Sequence, residues 1–230
     1  MLIECKNLKK SYGKHPVLHG INLQIESGKI VGILGPNGSG KTTLIKILAG
    51  LLMQNSGVAM IDGMKIGVDT KRIVSYLPER TYLAPDMRVQ EAVSLFADFY
   101  EDFQQQTAEQ MLADLHISLR ARIKTLSKGT REKVQLILVM SRRAKLYLLD
   151  EPIGGVDPAA RDYILKTILT QYNPEASILI TTHLISDVEK ILDDIVMLKE
   201  GEIVIHQPAD VLREEEGKSI DALFREVFAC

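Results

Sequence analysis

One short stretch of the chain combines glycines with a lysine and hydroxyl side chains: Gly35, Pro36, Asn37, Gly38, Ser39, Gly40, Lys41, Thr42 and Thr43. Its spacing fits G-x-x-x-x-G-K-[ST], the pattern of a phosphate-binding loop. Glycines let the backbone wrap around an anion with N–H groups pointing inward, and a following helix adds partial positive charge. We expect Lys41 to bind the β- and γ-phosphates and the Thr42 hydroxyl to bind Mg²⁺. The stretch therefore predicts a nucleoside triphosphate site.

Two adjacent carboxylates, Asp150 and Glu151, directly follow the apolar run 146–149. A buried strand ending in an acidic residue is typical of NTPases with a phosphate-binding loop, where this carboxylate assists the Mg²⁺ ion. We expect Asp150 to hold Mg²⁺ through a water molecule and Glu151 to act as general base toward the attacking water. The alternative is a pair of acids that merely closes a strand, which the upstream phosphate-binding loop makes the weaker interpretation.

Apolar runs and turn residues predict the elements that must position these side chains. Strands are expected at residues 2–8, 17–25, 30–34, 58–61, 73–77, 146–149 and 177–182, with a hairpin at 195–205. Helices are expected at 44–50, from Asp157-Pro158 onward, and in a charged tail at 210–230.

Residues 79–143 have a helical character that differs from the rest of the chain. Val89, Val93, Phe96 and Tyr100 recur at helical spacing and predict one apolar stripe. A further helix is expected to begin near Ser127. We therefore predict a single domain, in which residues 1–78 and 144–230 form the core and 79–143 form an inserted helical subdomain.

Composition is ordinary for a folded protein, with 46% hydrophobic and 25% charged residues among 230. The formal net charge of −2 does not provide the strong basic surface of a nucleic-acid binder. No apolar run approaches the roughly 20 residues that span a bilayer, and no signal-peptide pattern opens the chain. The two cysteines, Cys5 and Cys230, form no metal or redox motif. We expect a cytosolic protein that works at a membrane only through a partner.

The segment Leu126-Ser127-Lys128-Gly129-Thr130 completes a series of motifs in a characteristic order. With the phosphate-binding loop and Asp150-Glu151 around it, the chain resembles the ATP-binding cassette (ABC) ATPases over nearly its whole length. That family usually has Leu-Ser-Gly-Gly-Gln here, so Lys128 and Thr130 depart from it. The resemblance implies an α/β fold: a P-loop NTPase core with a mostly parallel sheet, an N-terminal antiparallel β subdomain and an inserted α-helical subdomain.

The resemblance also implies roles for several side chains that could not be assigned a role from their own sequence context. Tyr12 would stack on adenine, although an isolated aromatic side chain in a turn more often only packs. His183 would bond the γ-phosphate and orient Glu151. A further set would act on the ATP held by an opposite subunit: Ser127, Lys128, Gly129 and, within Gly155-Val156-Asp157, Asp157.

Glu79 stands where the family usually has glutamine, after Tyr76-Leu77-Pro78. A carboxylate oxygen can still bind Mg²⁺, but it adds negative charge near the phosphates. We expect the protein to remain functional with an altered affinity for Mg²⁺. The predicted metal-binding residues are Thr42, Glu79 and Asp150.

These observations predict the ATP-binding and ATP-hydrolysing subunit of an ABC transporter, with ATP and Mg²⁺ as cofactors. The expected partners are a permease on a separate chain and a second ATP-binding subunit, identical or paralogous, at the cytoplasmic face of the cell membrane. The variant Leu-Ser-Lys-Gly-Thr segment and the Tyr-Leu-Pro-Glu loop look similar to small bacterial exporter cassettes, including those that export peptides and antibiotics, which favours an exporter. The alternative is a soluble ABC protein acting on nucleic acid or ribosomes, which the near-neutral charge and single set of motifs disfavour. A GTPase or small-molecule kinase fits less well, since no Asn-Lys-x-Asp element occurs.

Overall fold

The computed structural model describes residues 1–154, 158–171, 173 and 175–228. In chain order the strands are β1 (Ile3–Tyr12), β2 (His15–Ile25), β3 (Ile30–Leu34), β4 (Ser56–Ile61), β5 (Met64–Lys65), β6 (Val74–Leu77), β7 (Leu146–Asp150), β8 (Ser177–Thr182), β9 (Asp194–Lys199) and β10 (Glu202–Pro208). The helices are α1 (Lys41–Leu48), α2 (Val68–Ile73), α3 (Val89–Phe99), α4 (Gln105–Asp114), α5 (Lys128–Met140), α6 (Pro158–Gln171), α7 (Ile185–Val188), α8 (Ala209–Glu216) and α9 (Ile220–Val227).

The described strands form two sheets. A mainly parallel sheet has the order β10-β9-β3-β8-β7-β6, in which only the β9–β10 hairpin is antiparallel. Strands β3, β7 and β8 are buried along their whole length, which explains why their sequences are continuous apolar runs without alternation. The second sheet is antiparallel, with the order β2-β1-β4-β5.

The register of the parallel sheet brings the ends of three strands together. Leu34 at the end of β3 pairs with Thr182, and Asp150 at the end of β7 pairs with Thr181. The loop before α1, the Asp150-Glu151 pair and the residues after β8 therefore leave the sheet at the same edge. Ligands of open α/β sheets bind outside the carboxyl ends of the strands, so this edge is the expected position of a site.

Apolar packing divides the interior into three clusters. Helix α1 buries Leu44, Ile45, Ile47 and Leu48 against the antiparallel sheet and one face of the parallel sheet. The other face of the parallel sheet packs against α6 and the two C-terminal helices. The third cluster joins α3, α4 and α5 around Phe96, Phe103, Met111 and Val134.

Most predicted elements are confirmed, with several differences in bounds. The predicted stripe of Val89, Val93 and Phe96 is buried on α3, and Tyr100 is its half-buried C-terminal neighbour. Position 73, predicted to open a strand, instead ends α2, which the sequence reasoning missed. The tail predicted as one helical segment is two helices, because Gly217 adopts a φ of 62° and ends α8.

Two expectations concern residues outside the described ranges. The segment Gly155-Val156-Asp157 lies outside them, as does Cys230. Within the described ranges, α6 begins at Pro158 as expected. No helix in those ranges combines the length and apolar character that crossing a bilayer requires.

Candidate functional site

The glycine-rich loop turns tightly between β3 and α1 and passes close to β9. A Cβ atom at Gly35 would lie 2.4 Å from the carbonyl oxygen of Leu198, closer than real side chains allow. Gly40 has a φ of 107°, in the left-handed region that disfavours other residues. The glycine spacing seen in the sequence is therefore required by this close approach and by this turn.

Lys41 is buried at the start of α1, with only 6% of its surface exposed. Its ammonium donates hydrogen bonds to the carbonyl oxygens of Gly35, at 2.7 Å, and Pro36, at 3.1 Å. Burial lowers the pKa of Lys41, while the nearby carboxylates of Glu151, Asp150 and Glu79 act in the opposite direction. The loop thus holds one cation beside a group of carboxylates, a suitable position for binding phosphate oxygens.

The two carboxylate oxygens of Asp150 differ in their hydrogen bonds. Thr181 donates to Oδ1 at 2.7 Å and Thr42 donates to the same atom at 3.1 Å. The buried Oδ2 has no hydrogen-bond partner among the described residues. Burial raises the pKa of Asp150, although the two threonine hydroxyls oppose that rise.

The unpartnered oxygen fits a bound cation, because buried polar atoms are otherwise nearly always paired. Mg²⁺ is typically held by one or two protein oxygens together with phosphate oxygens and water. Thr42 and Asp150 fit such a site. In the described part of the chain, no group of three or more histidine, cysteine or acidic side chains could hold a metal by itself.

Glu151 and His183 form a second hydrogen-bonded pair. The Nδ1–H of His183 donates to Oε2 of Glu151 at 2.9 Å. The backbone N–H of Glu151 donates to both the carbonyl and the hydroxyl oxygen of Thr181, each at 3.0 Å. Glu151 also has a φ of 52°, an uncommon conformation for a side chain of this size. The carboxylate is therefore held in one orientation, as a general base requires.

An open cavity of about 1090 Å³ unites most of the predicted site residues. Its lining includes Tyr12, Lys41, Thr42, Glu79, Glu151, His183 and, from α5, Lys128. Asp150 lies directly beneath it through its bond to Thr42. Tyr12 is 48% exposed, and the ammonium of Lys10 lies 5.5 Å from the centroid of its ring. The cavity therefore offers an aromatic side chain together with cations and carboxylates.

Known proteins are similar to this chain in both sequence and fold. A family model described as ABC transporter matches residues 18–154. The chain belongs to the ABC transporter family. The ATP-binding protein EcsA of Bacillus subtilis (strain 168) is 30% identical over 231 residues, which cover 96% of this chain and 93% of EcsA. The linearmycin resistance ATP-binding protein LnrL of the same strain is 28% identical over 211 residues, covering 88% of this chain and 68% of LnrL.

A solved structure described as the ATP-binding subunit of an ABC transporter superposes on this cassette with a TM-score of 0.88. It is 29% identical, and the match covers 99% of both chains. The predicted fold class is therefore confirmed, as is the prediction of an ATP-binding and ATP-hydrolysing subunit of an ABC transporter. These relatives favour the transporter over the predicted nucleic-acid alternative.

The segment Leu126-Ser127-Lys128-Gly129-Thr130 of this ABC ATPase leads into α5, and Ser127 and Lys128 are exposed to solvent. Ser127 is the exposed N-cap of the helix, and its Oγ accepts the N–H of Thr130 at 3.1 Å. The ammonium of Lys128 lies 3.8 Å from Glu132, one turn along. Gly129 is half-buried in the same turn. Of these residues, Lys128 lines the cavity that contains Lys41, whereas Ser127 and Gly129 are not among its described lining residues.

Sequence reasoning missed two residues that support the site. Thr181 bonds both Asp150 and Glu151, and its hydroxyl at the end of a buried strand was the available signal. Gln135 is buried on α5, and its side-chain oxygen accepts the backbone N–H of Tyr82 at 3.1 Å. This bond connects the loop after Glu79 to α5, the helix capped by Ser127.

Proposed function

We propose that this cassette hydrolyses ATP in the described cavity and uses the reaction to drive a permease carried on a separate chain. The main support is the Glu151–His183 pair beside a cavity that also contains Lys41 and Thr42. A phosphate-binding loop alone indicates nucleotide binding but not hydrolysis. An oriented carboxylate next to it supplies the base that hydrolysis requires.

In this scheme the loop and its lysine bind the triphosphate while Tyr12 stacks on adenine. Backbone N–H groups between Gly35 and Thr43 surround the phosphates, and Lys41 binds the β- and γ-oxygens. Thr42 and Asp150 would hold Mg²⁺, which neutralises charge on the phosphate oxygens. Together these contacts would hold the γ-phosphate in one position for attack by water.

Hydrolysis follows from the position of Glu151. Its carboxylate takes a proton from water as the water oxygen bonds to the γ-phosphorus, and the bond to the β-phosphate oxygen breaks to leave ADP and phosphate. His183 orients this carboxylate through its Nδ1–H and bonds the γ-phosphate. Glu79 would contact Mg²⁺ or the attacking water and change the affinity for the metal.

We also propose that two cassettes close head to tail, so that each ATP is completed by the opposite subunit. Ser127 and Gly129 present a hydroxyl and a helix N-terminus that are suited to a γ-phosphate but lie at the surface. Lys128 would add positive charge there, and Asp157 would also act toward the opposite subunit's ATP. The second subunit is a copy of this chain or a paralogue.

The permease would lie against residues 79–143, which we propose as the helical subdomain inserted into the core of 1–78 and 144–230. The Glu79 loop, with Tyr82, would receive cytoplasmic helices of the permease, so this subunit would lie on the cytoplasmic face of the membrane. Two relatives support an exporter: the Nod factor export ATP-binding protein I of Cupriavidus metallidurans and the lipopolysaccharide export ATP-binding protein LptB of Haemophilus influenzae, each 29% identical.

The test is the variant Glu151→Gln, which keeps the shape of the side chain but removes the base. We expect ATP hydrolysis to fall by about 10²–10⁴-fold, the usual contribution of a general base. ATP binding should remain, and stable ATP-bound dimers should accumulate in light-scattering measurements. A variant that stays monomeric at saturating ATP would contradict the head-to-tail scheme.

A further inference from the structure

Two buried side-chain oxygens that lack hydrogen-bond partners among the described residues lie on neighbouring strands. They are Oδ2 of Asp150, at the end of β7, and the hydroxyl oxygen of Tyr76, on β6. Leaving a buried polar atom unpaired costs stability, so nearly all such atoms in folded proteins are paired. A bound cation accounts for the atom of Asp150, and the hydroxyl of Tyr76 needs a partner as well.

Both oxygens lie on the face of the parallel sheet that α1 covers. Tyr76 pairs with Leu148 in the parallel register of β6 and β7, so these two side chains point to the same face. Asp150 follows Leu148 by two positions and therefore shares this face. Its hydrogen bond with Thr42 shows that α1 lies over this face. Diagonal neighbours on adjacent strands are within reach of an aromatic side chain, so the two oxygens belong to one cluster.

The charges that act on the Tyr76 hydroxyl are those of the predicted metal residues. Burial raises the pKa of Tyr76, and the nearby carboxylates of Asp150 and Glu79 raise it further. The phenol therefore stays protonated and uncharged, with a proton to donate and lone pairs that can accept. The hydroxyl and Oδ2 of Asp150 interact in this way without a direct hydrogen bond. A single water molecule can bridge polar atoms at such a separation.

We propose that Tyr76 is a positioning residue of the Mg²⁺ site, where its hydroxyl and Oδ2 of Asp150 hold the same water ligand of the metal. This inference rests on the proposed function and adds a residue that touches neither the nucleotide nor the metal. Mg²⁺ usually keeps several waters, each with two protons to donate. Oδ2 would accept one of these hydrogen bonds and Tyr76 the other, while the phenol proton bonds the carboxylate of Glu79. Such outer partners hold the ligands of a metal in place.

The variant Tyr76→Phe tests the proposal because it keeps the ring and removes only the hydroxyl. Mn²⁺ is the probe for the metal site, added to the intact protein in excess over a non-hydrolysable ATP analogue, and electron paramagnetic resonance measures the free ion. We expect the affinity for Mn²⁺ to fall about tenfold, as is usual when a group that supports a metal ligand is lost. The affinity for the analogue in EDTA should match that of the wild type, since the hydroxyl acts only through the water on the metal.

Thermal stability distinguishes this role from a structural one. Without nucleotide, Tyr76→Phe should melt at the same temperature as the wild type or higher, because the hydroxyl that it removes has no partner among the described residues. Tyr147 provides the matched control on the opposite face of the sheet, where its buried hydroxyl donates to the carbonyl oxygen of Arg142 at 2.5 Å. Tyr147→Phe should lower the melting temperature by about 2–4 °C and leave the affinity for Mn²⁺ unchanged.

Three results with Tyr76→Phe would overturn this role while leaving the proposed function intact. An affinity for Mn²⁺ equal to that of the wild type would show that the hydroxyl does not act on the metal. An equally large loss of affinity for the analogue in EDTA would show that it supports the nucleotide instead. A melting temperature lowered as much as in Tyr147→Phe would show that the hydroxyl is bonded in the nucleotide-free protein. A wild type that binds the analogue but no Mn²⁺ would contradict the proposed metal site itself, and the role of Tyr76 with it.

Discussion

At the scale of single residues, burial raises the pKa of Asp150, and the charged carboxylate therefore destabilises the folded protein. The folded state binds the proton more tightly than the unfolded state, so this contribution to stability falls as pH rises above the ordinary carboxyl range. The functional requirement for a charged ligand opposes the requirement for a stable interior.

Asp150→Asn should consequently be more stable than the wild type at neutral pH, since an amide can still accept the hydrogen bonds of Thr42 and Thr181. We expect a melting temperature about 2–4 °C higher, the effect of roughly 1 kcal/mol in a chain of this size. Calorimetry at several pH values would measure it, and the advantage should shrink as pH falls below the raised pKa of Asp150 and be lost below the ordinary pKa of aspartate. ATP hydrolysis should drop at least about 10–100-fold through weakened metal binding. An unchanged or lower melting temperature at neutral pH would contradict this explanation.

Glu79 is the second residue whose substitution has a predicted effect, here on the Mg²⁺ dependence of hydrolysis. Its charge opposes the lowering of the Lys41 pKa and contributes to the raised pKa of Asp150, so it lies close enough to affect a bound cation. In Glu79→Gln we expect the Mg²⁺ concentration for half-maximal hydrolysis to rise about fivefold, equivalent to a loss of about 1 kcal/mol of attraction. A Mg²⁺ titration at fixed ATP measures this, with the exposed Glu101→Gln as control. Identical titration curves for Glu79→Gln and the wild type would show that Glu79 does not affect the metal.

At the scale of elements, Arg142 joins the α3–α5 region to the parallel sheet. Its side chain is 1% exposed. The guanidinium donates to the carboxylate of Asp102 at 2.9 and 3.1 Å and to the carbonyl oxygens of Val74 and Arg72, each at 2.6 Å. The ring of Tyr100 lies 3.7 Å from it. Because Val74 begins the strand that leads to Glu79, this network fixes α3 and α4 relative to the Glu79 loop.

Removing one partner of this pair should be costly, because it leaves a buried charge uncompensated. We expect Asp102→Ala to lower the free energy of unfolding by about 3–5 kcal/mol. The double variant Asp102→Ala with Arg142→Met should lose less than the sum of the single changes. Urea unfolding measures all three, and the exposed Asp98→Ala is the matched control. Additive losses would mean that the pair contributes no coupling.

At the scale of the whole molecule, the proposed ATP site is divided between two subunits. Mixing two inactive variants in one preparation tests this division. Lys41→Ala should prevent phosphate binding in its own subunit, whereas Ser127→Arg should block only the opposite site. Each variant alone should be inactive. An equal mixture should recover about a quarter of wild-type hydrolysis, since half of the dimers are mixed and each has one intact site. If the mixture remains inactive although Glu151→Gln dimerises, Ser127 does not act in trans.

Much of the fold and part of the site could be derived from the sequence because they depend on local spacing. The interval from Gly35 to Thr42 specifies a loop, the apolar run before Asp150 specifies a buried strand, and the periodicity of Val89, Val93 and Phe96 specifies a helix face. The short helix α2 was missed because its six residues are too few to establish a period.

Local patterns in the sequence therefore specified the phosphate-binding loop, the Asp150-Glu151 pair and most of the strands and helices, since each depends on neighbouring residues. The contacts that form between distant segments followed only from the fold. Thr181 binds Asp150 although they are 31 positions apart, and Arg142 binds Asp102 across 40 positions. The burial of the Tyr76 hydroxyl without a hydrogen-bond partner among the described residues is likewise a product of packing. Such contacts depend on strand register and on how helices pack, which local patterns do not specify.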